Sequence, residues 1–76
     1  MTYDEWADEY MKSAGRVMEQ IEFYKRKKRG CKNTQLILFY GKKLFTLEGM
    51  YADCMYTAAV LRRKAAKDRE RADKHD

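Results

Sequence analysis

A chain of 76 residues and 9.1 kDa holds one small domain at most, because so short a chain buries only about 60% of the surface its unfolded state exposes. Hydrophobic residues make up 45% and charged residues 38%, which excludes both a disordered tail and a membrane-embedded protein, while no proline and four glycines argue against the turns of an all-β fold. The net charge of +5 favours anionic partners or plain solvation.

Thr2 followed three positions later by Glu5 is a capping-box signature, and the carboxylates Asp4 and Glu5 suit the positive end of a helix dipole. Tyr3, Ala7, Tyr10, Ala14, Val17, Ile21 and Tyr24 then recur at alternating intervals of four and three, a heptad seam on a helix over about 3–29. Met11 and Met18 widen the seam on one flank and Trp6 on the other. The seam ends at Lys25-Arg26-Lys27-Lys28-Arg29, and Gly30 is expected to close the helix in the left-handed conformation. Residues 30–33 form a turn, with Asn33 or Thr34 capping the next helix.

That second helix is expected over about 34–72, ending in a charged C-terminal tail. Its seam reads Ile37, Tyr40, Leu44, Leu47, Tyr51, Cys54, Ala58 and Leu61, with the same period as the first. Equal periods on either side of a short turn predict an all-α, antiparallel helical hairpin of two long helices. The pairing sets Tyr24 against Tyr40, Val17 against Leu47, Tyr10 against Cys54 and Tyr3 against Leu61, with no hairpin partner left beyond Leu61. Gly41 and Gly49 inside the second pattern each cost about 1 kcal/mol relative to alanine. The alternative fold is therefore three helices with a break near Gly49, although the seam keeps its phase through both glycines.

The second helix carries more apolar residues than one seam uses. Leu38, Phe45, Ala52 and Ala59 form another seven-residue stripe, joined by Met55, on a neighbouring face. A lone hairpin cannot bury both stripes, so these five residues are the expected partner interface, either in a homodimer completing a four-helix bundle or against another protein. The competing reading leaves Leu38 and Phe45 half-covered by the first helix.

Charge is segregated along the chain. Residues 25–43 hold eight bases and no acid: Lys25, Arg26, Lys27, Lys28, Arg29, Lys32, Lys42 and Lys43. They converge on the hairpin tip, flanked by Phe23 and Phe39, the mixture of cations and aromatics that holds phosphates and stacks bases. Nucleic acid or an acidic protein are the candidate ligands. The plainer reading is a solvated tip whose cations complement the helix dipole. At the other end Asp4, Glu5, Asp8 and Glu9 come alongside Arg62, Arg63, Lys64 and Lys67, fixing the hairpin register.

Catalytic chemistry is not expected. His75, the single histidine, lies one residue from the end, and Ser13, the single serine, has no histidine within reach. Cys31 and Cys54 are 23 positions apart without a CxxC pattern, so neither disulfide nor zinc is expected, and both thiols are expected reduced in a cytoplasm. Cys31 beside the basic run is a weaker candidate for a reactive thiol. No phosphate loop, cofactor motif or small-molecule substrate site is present. The acidic start lacks the pattern of a signal peptide, and the longest apolar run, Leu36 to Tyr40, is too short to span a membrane.

The stretch Leu47-Glu48-Gly49-Met50-Tyr51-Ala52-Asp53-Cys54-Met55-Tyr56-Thr57, with Leu61-Arg62 beyond it, resembles a segment of small uncharacterised α-helical proteins encoded on prophages and integrative elements of Gram-positive bacteria, which also begin with a Tyr/Trp/Glu-rich helix. The resemblance covers about half the chain and includes no functional motif. It implies a setting rather than an activity: an accessory regulator of element transfer, a recombination cofactor, or an inhibitor of host defence such as an anti-CRISPR protein. The basic tip disfavours a DNA mimic, which would be acidic.

Overall fold

In a computed structural model that describes residues 1–74, Thr2 is extended at φ −81°, ψ 164°, and its Oγ1 accepts a hydrogen bond from the Glu5 N–H at 3.1 Å. This N-cap opens α1 (Tyr3–Arg29), which runs with its carboxylates in the first turn and its cations in the last. Asn33 opens α2 (Thr34–Lys74), its Oδ1 accepting from the Gln35 N–H at 2.9 Å and the Leu36 N–H at 3.2 Å. Replacing Asn33 by alanine orphans both donors and is expected to cost about 1 kcal/mol. In a domain this small that lowers the melting temperature by roughly 4–8 °C, readable by circular dichroism, and an unchanged melt would show that water caps the helix equally well.

The two helices pack against each other as an antiparallel hairpin, 65 × 16 × 14 Å, with no strand among the described residues. α2 passes through Gly41 and Gly49 without interruption, so the three-helix alternative does not form. Gly30 does not adopt the expected left-handed conformation: at φ −89°, ψ 0° it stays right-handed. The Gly30 N–H bonds to the Arg26 carbonyl and the Cys31 N–H to the Lys28 carbonyl, both at 3.2 Å, so a tightened last turn satisfies the helix end without any positive φ.

Side-chain size divides the core in two. Near the tip Val17 and Ile21 of α1 meet Leu44 and Leu47 of α2, with Met18, Tyr24 and Tyr51 packed around them. Tyr24 and Tyr40 face each other with ring centroids 5.9 Å apart, in the expected register. Toward the open end Ala7, 0% exposed, packs with Ala58 and Leu61, and the small side chains bring the backbones close. Tyr10 joins this second cluster.

The open end departs from the expected pattern. Ala65 is buried, so α2 remains covered past Leu61. Beside it Met1, Thr2, Tyr3, Asp4 and Trp6 line, with Ala65, Asp68 and Arg69, an open recess. Tyr3 itself is exposed, and Lys64 Nζ lies 5.8 Å from its ring centroid. Trp6 and Met11 are also exposed, leaving Met18 as the flank residue packed on the core. Arg62 pairs with Asp8 at 3.1 Å and Arg69 with Asp4 at 2.6 Å, while Glu9 pairs with Lys12 on its own helix. All these side chains are well exposed, so each pair fixes register more than it adds stability. α2 stays helical through Lys74 where a tail was expected; His75 and Asp76 lie outside the described residues.

Candidate interaction surfaces

At about 100° per residue, the buried side chains of α2 and its stripe occupy opposite sides of the helix. Leu44, Leu47, Ala58, Leu61 and Ala65 face α1. On the far side Leu38 is 62% exposed and Phe45 81%, so α1 does not shelter them. Ala52 and Ala59 are exposed on the same side. Met55 is half-buried and lies about 100° round the helix from Leu38, at the edge of this face.

Tyr56, 69% exposed, belongs to this face and was not anticipated in the sequence. It lies eighteen residues from Leu38, five full turns at about 3.6 residues each, so the two side chains project in one direction. Near the tip the face carries a shallow open depression lined by Lys28, Ile37, Leu38, Gly41, Lys42 and Phe45. Gly41 leaves its floor empty: an added Cβ would meet only the Lys28 Nζ, at 3.9 Å. At Gly49, midway along the face, an added Cβ would meet nothing within 4 Å. Neither glycine is required by packing inside the hairpin.

The tip presents its eight bases together. Lys25, Arg26, Lys27, Lys28, Arg29, Lys32, Lys42 and Lys43 are all exposed, and none makes an ion pair among the described residues. Phe23 and Phe39 are both about half exposed beside them. Lys27 Nζ lies 5.5 Å from the Phe23 centroid and Lys43 Nζ 5.7 Å from that of Phe39. Each ring therefore already carries a cation, and a stacking base would have to displace an ammonium or share the ring with it. The Cys31 thiol, half-buried in the turn, donates to the Asn33 carbonyl at 3.7 Å, and Cys54 is a free, half-buried thiol on α2.

Among the described residues no three His, Cys, Asp or Glu side chains converge as a metal site would require, and no helix is long and apolar enough to cross a membrane. Comparison with protein families, curated proteins and solved structures finds no match.

Proposed function

We propose that the protein is a non-enzymatic helical interaction module that docks on a protein surface through the outer face of α2. The observation that carries this reading is the exposure of Phe45, Leu38 and Tyr56 on one side of a regular helix, facing away from its only intramolecular neighbour. Burying one such side chain contributes about 1.5–3 kcal/mol, and periodic apolar groups left in water are what a binding helix presents. The likeness of Leu47–Thr57 to proteins of prophages and integrative elements supports a role as a mobile-element accessory protein that regulates or inhibits host machinery.

A second reading assigns the tip to nucleic acid, on the strength of eight exposed bases, unpaired among the described residues, with two flanking aromatics. Such contact would be insensitive to sequence and strongly sensitive to salt.

Affinity capture from the native cell with and without nuclease separates the two. The docking reading expects a protein retained through nuclease treatment and lost when Leu38 and Phe45 are both glutamate. Retention by that variant would remove α2's outer face from the mechanism. The tip reading expects that changing Lys25, Arg26, Lys27, Lys28 and Arg29 to glutamine abolishes binding to a fluorescent duplex. Removing five phosphate contacts should flatten the plot of log affinity against log salt by about 4 to 5 units. An unchanged slope would exclude the tip.

A further inference from the structure

We infer that the outer face of α2 takes a second copy of this chain in an antiparallel pair centred between Glu48 and Gly49. This rests on the docking reading above and names its occupant. The outer face has three large residues, Leu38, Phe45 and Tyr56, and four small ones, Gly41, Ala52 and Ala59 with Gly49 at the centre. Reversing the helix about that one point places every large residue on a small one: Leu38 on Ala59, Phe45 on Ala52 and Tyr56 on Gly41. Tyr56 of the second copy then enters the depression floored by Gly41, beside Lys28, and the arrangement occurs twice by symmetry. A parallel pair would instead set Phe45 against Phe45 and leave the small residues facing gaps.

Charge selects the same direction. Lys42 and Asp53 lie on one flank of the face, and reversal brings Lys42 to within about 3 Å, measured along the axis, of Asp53 in the second copy. The two basic tips are carried to opposite ends, from about 17 Å apart at Lys43 to more than about 40 Å at the turn, two or more Debye lengths at physiological salt. Parallel copies would put sixteen cations side by side. The chain also has surface to cover: it exposes 6228 Å², whereas a compact monomer of its mass exposes about 4,900 Å². Two unfavourable pairings remain: Glu48 lies near the axis beside its own symmetry mate, and Arg63, exposed on the same face, comes opposite Thr34 at the second copy's basic tip.

Single-cysteine crosslinking tests the register, in a chain with Cys31→Ser and Cys54→Ala. Gly49→Cys lies at the axis, where the added side chain meets nothing inside the hairpin, and should form a disulfide-linked dimer under mild oxidation. Ala59→Cys, held about 30 Å from its mate along the axis, should not. Crosslinking at both positions, or at Ala59→Cys alone, would overturn the antiparallel register. Sedimentation equilibrium in the wild-type background provides an independent reading. Lys42→Asp alone and Asp53→Lys alone should each weaken the dimer roughly tenfold, and the double exchange should recover it. Glu48→Gln should tighten it. Failure of the exchange to rescue would contradict the pairing. A wild-type chain that remains monomeric to about 1 mM would overturn the second copy as occupant. If capture of another protein still depends on Leu38 and Phe45, the docking reading survives that result; if it does not, both fall.

Discussion

Replacing Ile21 by alanine is expected to lower the melting temperature of the hairpin by at least about 10 °C, with loss of a cooperative transition as the limit. Ile21 is 3% exposed in the tip-side cluster, where it packs with Val17, Leu44 and Leu47, the layer of large aliphatic side chains that joins the helices near the tip. Removing its outer carbons costs about 2–5 kcal/mol, against a total stability for small domains that starts near 5 kcal/mol. The open end cannot compensate, because its core is built from Ala7, Ala58 and Leu61, and alanines bury little area. Circular dichroism at 222 nm reads the result. A drop below about 4 °C would mean that the helices are held by something other than this cluster.

Phe45→Glu is expected to do the opposite: leave the melt nearly unchanged and remove association. Its side chain is 81% exposed and makes no contribution to either core cluster, so a charge there has no intramolecular neighbour to disturb. At a docked surface the same substitution forfeits about 2–3 kcal/mol of burial and buries a carboxylate as well, so affinity should fall at least about 50-fold. Melting and sedimentation on the same sample separate the two roles. A variant that unfolds places Phe45 in the core, and one that associates as tightly as wild type excludes it from the interface. Leu38→Glu should behave likewise with a smaller loss, and Ala59→Ser should be nearly neutral.

The hairpin, its turn and the register near the tip were legible because they arise from heptads on both sides of a short basic turn. Tyr24 meeting Tyr40 is that pattern realised. The open end was less legible because heptad pairing runs out at Tyr3, whereas Ala65 is buried one turn beyond the last expected partner, Leu61. Gly30 misled because a glycine after a helix usually signals a left-handed cap, yet a tightened turn satisfies the same carbonyls. The outer face was partly legible. A seven-residue stripe drifts by about 20° per heptad on a straight helix, so tracing it from Leu38 to Ala59 leads off the centre of the face. Tyr56, at eighteen residues, returns to the centre, and Met55, taken with the stripe, falls on its edge. The heptad period marks a face but not its occupant, which the distribution of large and small residues along that face addresses.

The most direct measurement of the central claim is site-specific photocrosslinking in the native cell. A benzophenone side chain replaces Phe45 in one chain and, as a control, Glu19 on the exposed side of α1 in another. The account predicts covalent protein adducts from position 45, whether with a second copy or with another protein, and none from position 19. Equal yields from the two positions, or none from 45, would contradict it.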